Sequence, residues 1–144
     1  LNGVDHRLEL VRNKKGIFFY NDSKATNVNA TITALKSFDK ENIFLIAGGE
    51  SKKQILKPLE KYLKKMVTSL YLIGQDADLF EENFNNIDSL MISKHDSMKD
   101  AVLAAYQDAI AGDIVLLSPA CASYDMYKNY KERGEEYKSV VEGL

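Results

Sequence analysis

The chain has 144 residues, 45% of them hydrophobic and 28% charged, with a formal net charge of −2. That composition suits one globular domain with a real core and excludes a disordered chain. It offers no basic field to grip a nucleic-acid backbone, and no apolar run approaches the roughly 20 residues that span a bilayer.

The start of the chain shows no signal-peptide pattern. It begins at Leu1 rather than Met, as expected of a fragment or a processed form of something larger. Cys121 stands alone, so intramolecular disulfides are excluded, which fits a reducing compartment. His6 and His95 have no Cys or His at ligand spacing, which argues against a zinc site.

Leu8-Glu9-Leu10-Val11 alternates like a strand, Asn13-Lys14-Lys15-Gly16 is a turn, and Ile17 to Asn21 returns as a hairpin. A polar turn follows, Asn21 to Asn27. Val28, Ile32 and Leu35 then mark a helix from about Val28 to Phe38. After the connector Asp39-Lys40-Glu41-Asn42, Ile43 to Ala47 is a continuous apolar run, suited to a strand covered on both faces, and it ends in Gly48-Gly49. Leu56, Leu59, Leu63 and Met66 share a helix face, with Pro58 near its first turn. Ser69 to Gly74 reads as a buried strand, Asp76 to Phe80 opens a short helix, and Ser89 to Ile92 is another strand. Ser97 to Ala111 is the clearest helix. Ser97 caps it with Asp100 three residues on, Met98, Val102, Ala105 and Ala109 form its stripe, and Gly112 stops it. Asp113 to Ser118 is the last strand and runs into Pro119-Ala120-Cys121-Ala122-Ser123. A short helical turn is expected over Tyr124 to Tyr130, and a terminal helix from about Gly134 to Leu144. The pattern predicts an α/β fold, a Rossmann-like three-layer sandwich. Its mostly parallel sheet of about six strands carries helices on both faces and opens with a β-hairpin.

Three strands end in small or polar residues, at Asp22 to Asn27, Gly48 to Lys52 and Ser118 to Ser123. In a parallel sheet such ends lie on one edge and can share a crevice. That crevice would hold Lys24, Thr26, Lys52 or Lys53, Ser123 and the N–H groups of helix starts, a donor set suited to carboxylates or phosphates. Gly48-Gly49-Glu50-Ser51-Lys52 lacks Walker A spacing and no G-x-G-x-x-G occurs, so the chain has no complete triphosphate-binding device. By residue type alone, Lys52 and Lys53 are solvated lysines, Thr26 and Ser123 are caps, and Cys121 is a packed small residue. His95 belongs to a solvated loop, Tyr127 and Tyr130 cover either the crevice or core, and Glu132, Glu135 and Glu136 form a solvated helix face.

The motifs point further. Asn21-Asp22-Ser23-Lys24-Ala25-Thr26-Asn27 is preceded by His6-Arg7. It is followed by Gly48-Gly49 with Lys52, and then by Leu117 to Ser123 with Asp125, Asn129 and Arg133-Gly134. Over nearly the whole chain this order resembles the C-terminal domain of the Mur ligases, in the form that adds D-glutamate. The resemblance implies a three-domain enzyme. Its N-terminal domain holds the UDP moiety. Its central domain holds the P-loop, the Mg2+ ligands and a carbamylated lysine. The third, Rossmann-like domain, the only part present here, swings onto the central domain and brings the amino acid. The implied reaction belongs to cytoplasmic peptidoglycan-precursor synthesis. ATP phosphorylates UDP-N-acetylmuramoyl-L-alanine, and the D-glutamate amine attacks the acyl phosphate. By matching position, Arg7 would contact the nucleotide phosphates, Asp22 the ribose hydroxyls, and Lys24 the transferring phosphate as the catalytic lysine. Thr26 and Lys52 would hold one D-glutamate carboxylate, and Ser123 with backbone near Tyr130 the other. No metal ligand is implied in this chain.

Three departures from the family pattern stand out. Gly49-Glu50-Ser51-Lys52-Lys53 replaces an Asp-Gly before the lysine, so Lys52 or Lys53 fits, with register favouring Lys52. Tyr124 and Tyr130 stand where Leu and Phe are frequent. The competing readings are a non-catalytic module of the same fold that binds a small anion or a partner, and a relative that ligates glutamate to a folate. The motif Ser118 to Ser123 argues against the folate relative.

Overall fold

A computed structural model describes residues 4–39 and 42–144; Leu1, and Lys40 and Glu41 of the first connector, lie outside the described residues. Its six-stranded sheet has the order β1-β2-β6-β3-β4-β5. β1 (Glu9–Lys14) and β2 (Ile17–Asn21) form the expected antiparallel hairpin, with the Asn13 side chain accepting from Gly16 N at 2.9 Å to close the turn. All other neighbours are parallel: β6 (Ile114–Leu117) lies between β2 and β3 (Ile43–Gly48), followed by β4 (Val67–Ile73) and β5 (Met91–Lys94).

The apolar runs of β3, β4 and β6 are buried because both faces are covered, as their lack of alternation predicts. Ile43, Leu45 and Ala47 point to one side, where α1 (Val28–Lys36), α2 (Glu60–Met66) and α3 (Ala77–Phe84) pack through Leu35, Leu63 and Phe80. Phe44 and Ile46 point to the other, against α4 (Met98–Asp108) and α5 (Tyr130–Glu142) through Val102, Ala105 and Tyr137. The three-layer sandwich is thus as expected. Among the described residues no helix is long and apolar enough to cross a membrane.

Several boundaries differ from expectation. β5 begins two residues late. Leu90 is drawn down among the core residues and its N–H donates to Ile87 O at 3.1 Å, ending α3's exit turn before the strand begins. α4 stops at Asp108 rather than Ala111 because Ala109 is extended and the Asp113 carboxylate takes Ile110 N–H at 2.8 Å. Gly112 therefore serves the turn into β6 and not a helix stop. α5 starts four residues before Gly134, capped by Asn129, whose side chain accepts from Glu132 N at 2.9 Å. The stretch before it is a hydrogen-bonded turn in which Ser123 O accepts from Met126 and Tyr127 N–H.

Candidate functional site

The strand order decides where chemistry can sit. β2, β6 and β3 are neighbours, so the three polar strand ends emerge side by side at the carboxyl edge of the sheet.

The first turn is fastened from four directions. Asp22 N–H donates to Leu117 O at 2.7 Å, and Lys24 N–H to His6 O at 2.9 Å. Asp22 is 4% exposed; its Oδ1 accepts from Leu8 N at 3.0 Å and its Oδ2 from Ser118 Oγ at 2.7 Å. His6 is buried with φ 63°, and its Nδ1 pairs with Asn21 Nδ2 at 2.8 Å. Gly134 of α5 lies flat against that imidazole; a Cβ there would run into the ring, so glycine lets α5 approach. Asn27, and not Thr26, caps α1, accepting from Ala30 N at 2.9 Å. This leaves the half-buried Thr26 hydroxyl out of the helix cap.

The second turn leaves β3 through Gly49, whose φ of 131° and 2.7 Å clearance between a built Cβ and Ala122 O both demand glycine. Glu50 and Ala122 then form a two-way backbone bridge, each N–H donating to the other's carbonyl at 3.0 Å. Lys52 and Lys53 follow with φ of 53° and 61°, the left-handed region. Gln54 donates from Nε2 to Ala120 O at 2.6 Å and accepts from Val28 N at 2.9 Å, joining the second turn to the third and to the start of α1.

The third turn carries Ser123, which is 2% exposed, and its Oγ has no hydrogen-bond partner among the described residues. It is not a cap. A buried hydroxyl without a partner is uncommon and costly, and a ligand is one physical reason for it. Cys121 is fully buried and burial pushes its thiol up to about 12, so it is a packed side chain rather than a nucleophile, as expected.

Two cavities open on this edge. One, of about 230 Å³, is lined by Thr26, Lys52, Ala122, Ser123, Tyr124 and Tyr130. The other, of about 290 Å³, is lined by Arg7, Leu8, Asp22, Lys24, Ala25 and by Ala30, Thr33 and Ala34 of α1. The residues expected at a carboxylate site and those expected at a nucleotide site thus fall into separate but adjacent spaces. Lys24 connects them, with its Nζ 5.6 Å from the centroid of the Tyr130 ring. Lys53 lines neither cavity. Among the described residues no group of three or more His, Cys, Asp or Glu side chains could hold a metal ion.

Burial raises the Asp22 carboxyl from its ordinary 3.8 to about 6, against the lowering effect of Ser118, Leu8 N–H, Arg7 and Arg133. An acid whose folded pKa lies above its unfolded value holds more protons when folded. Its contribution to stability is therefore full below the unfolded pKa and is lost as pH rises through the folded one. The stability of the native chain minus that of Asp22→Asn, followed by urea unfolding, is expected to fall by about 2 kcal/mol between roughly pH 3.5 and 7. A difference that stays flat across that range would mean that Asp22 is not held by burial.

Sequence reasoning missed one central residue as a site component. Arg133 is 1% exposed and ties the first turn to the third, donating from Nε to Ser23 Oγ at 2.9 Å, from Nη2 to Ser23 O at 2.6 Å and from Nη1 to Cys121 O at 2.9 Å. Gln54 was missed too. Arg133 enters the sequence reading only as part of the late motif and Gln54 not at all, since arginine and glutamine ordinarily lie at the surface.

The model of the family described as Mur ligase, glutamate ligase domain, matches residues 6–121. The chain belongs to the Mur ligase family. This Mur ligase domain is 47% identical over 146 residues to the UDP-N-acetylmuramoylalanine–D-glutamate ligase of Coxiella burnetii, an alignment covering 99% of the chain and 33% of the relative. The ligase of the same name from Natranaerobius thermophilus is 44% identical over 147 residues, covering 99% and 31%. The chain thus spans about a third of the length of the curated relatives it matches. Among solved structures, the MurF ligase from Thermotoga maritima in complex with ADP shares the fold, with a TM-score of 0.57 at 20% identity over 99% of this chain and 33% of that one.

Proposed function

We propose that this chain is the C-terminal, amino-acid-delivering domain of an ATP-dependent ligase that adds D-glutamate to UDP-N-acetylmuramoyl-L-alanine in the cytoplasm. The observation that carries this reading is the cavity lined by Thr26, Lys52, Tyr130 and Ser123, whose hydroxyl has no partner among the described residues. A diacid needs two donor clusters. Thr26 Oγ1 and the Lys52 ammonium form one. Ser123 Oγ and the N–H at the start of α5, beside Tyr130, form the other. The adjacent cavity suits the nucleotide, with Arg7 toward its phosphates and Asp22 toward its ribose hydroxyls. Both Asp22 oxygens already accept one hydrogen bond each, and each keeps a lone pair for a hydroxyl. Lys24 lies between the two cavities, where charge would move from nucleotide to acyl phosphate. Its role is charge stabilisation, and the chain's contribution is positioning rather than nucleophilic attack. The carboxylates described here do not fit a magnesium site. The P-loop and the Mg2+ ligands would belong to the enzyme's central domain, which we propose as the partner surface of this edge.

The full-length protein should release phosphate from ATP only when UDP-N-acetylmuramoyl-L-alanine and D-glutamate are both present. Equal rates with L-glutamate or a diamino acid would sink the assignment. In the same assay Ser123→Ala is expected to raise KM for D-glutamate by about tenfold or more, the worth of a hydrogen bond to a charged group. Its urea midpoint should not fall, because the hydroxyl has no partner to lose within the described residues. A normal KM would remove Ser123 from the site.

A further inference from the structure

We propose that Tyr124 is a positioning residue for the lysine that receives a substrate carboxylate, a role that rests on the D-glutamate reading above. Tyr124 is 62% exposed, so its ring is open at the surface rather than taken up by the core. It lines the same cavity as Lys52, and the Lys52 Nζ lies 5.1 Å from the centroid of its ring. That is within the distance at which an ammonium is held by the negative face of an aromatic ring.

The backbone arranges the meeting. The bridge between Glu50 and Ala122 fixes the two segments to each other, and Lys52 and Tyr124 each follow it by two residues. The left-handed φ at Lys52 and Lys53 bends the first segment, and the turn at Ser123 bends the second. Lys52 would otherwise be a free surface side chain with four rotatable bonds. Among the described residues it forms no salt bridge, whereas Lys57, Lys64, Lys94 and Lys138 all do. The difference has a chemical consequence. A carboxylate partner would compete with an incoming substrate carboxylate for the ammonium. A ring face restrains the ammonium and leaves its N–H donors free to bond. Tyr124 therefore acts through Lys52, reducing the side-chain freedom lost when the diacid binds.

The test uses the full-length protein and two variants. Tyr124→Phe keeps the ring and Tyr124→Leu removes it. With Tyr124→Leu, KM for D-glutamate is expected to rise about three- to fivefold, the factor an exposed cation–ring contact supports, with kcat unchanged. Tyr124→Phe should match the native enzyme. In protein labelled with 13C-lysine, the ε-CH2 signal of Lys52, assigned through Lys52→Arg, should carry an upfield ring-current displacement in the native and Phe proteins and lose it in the Leu protein. An equal rise of KM in both variants would assign the effect to the hydroxyl and overturn the proposal, as would a Lys52 signal unmoved by Tyr124→Leu. Absence of any D-glutamate dependence in the native enzyme would instead overturn the ligase reading and the ligand named here. The lysine signal would then still decide whether the ring holds Lys52.

Discussion

Arg133→Met is expected to lower the unfolding free energy by about 3 kcal/mol in urea at neutral pH. The side chain is buried, and burial pulls its pKa down to about 10, so it remains charged at pH 7. All three of its hydrogen bonds go to the first and third turns. Methionine fills similar space without donors. Ser23 O and Cys121 O would be left buried and without Arg133, at about 1–3 kcal/mol each, while removal of a buried charge returns part of that sum. Lysine should rescue poorly, because one ammonium cannot span a fork that reaches two carbonyls and a hydroxyl. Ser23 Oγ, which accepts from Arg133, itself donates to Tyr130 O at 2.7 Å, so the wall of the 230 Å³ cavity should loosen as well. KM for D-glutamate should therefore rise together with the loss of stability. A variant within 1 kcal/mol of the native chain would show that other contacts hold the two turns together.

Lys24→Ala carries the largest expected effect on turnover, a fall in kcat of about 10²–10³ in the full-length enzyme, the scale seen when one preorganised charge-stabilising donor is removed. Its effect on stability should be small. The backbone N–H of Lys24 keeps its bond to His6 O whatever the side chain, and the residue is only half-buried, with its Nζ over the Tyr130 ring. A high kcat combined with a raised KM for D-glutamate would move Lys24 from the transferring phosphate to the amino-acid cavity. Single-turnover phosphate release separates the two outcomes, since it reports chemistry without product release.

The fold was legible because its signals are local. Ile43 to Ala47 and Ile114 to Leu117 have no polar alternation, and only a strand covered on both faces tolerates that. Ser97 followed by Asp100 announced the start of α4. β5 lies two residues beyond its apolar signal because it is an edge strand with Met91 70% exposed, and the buried Leu90 beside it is a stronger apolar signal than the strand itself. α5 starts earlier than its apolar residues suggest because its inward face carries Arg133 and Gly134, which give no apolar stripe at the helix start. At the candidate site, the polar strand ends could be read from composition. Their adjacency could not, because only the insertion of β6 between β2 and β3 makes them neighbours. Nor could the vacant hydrogen-bonding capacity of Ser123 be read, or the long reach of Arg133, Gln54 and Asp125. Asp125 accepts from Gln75 N at 2.8 Å, a contact between residues 50 apart in sequence.

The position of β6 also bears on how the chain folds. Phe18 pairs with Ile114 and Ile43 pairs with the same residue from the other side, so the centre of the sheet waits for a segment about a hundred residues downstream of its first partner. Closing so long a loop comes before any reward from the pairing, which makes insertion of β6 a slow and late event. Until then β2 and β3 each present an open, apolar edge to any other strand. During synthesis that interval lasts until residues 114–117 have left the ribosome, and it is when pairing with a second nascent chain competes most directly with native folding. Substitutions that weaken β6 should accordingly show as aggregation during expression before they show as a lower melting temperature.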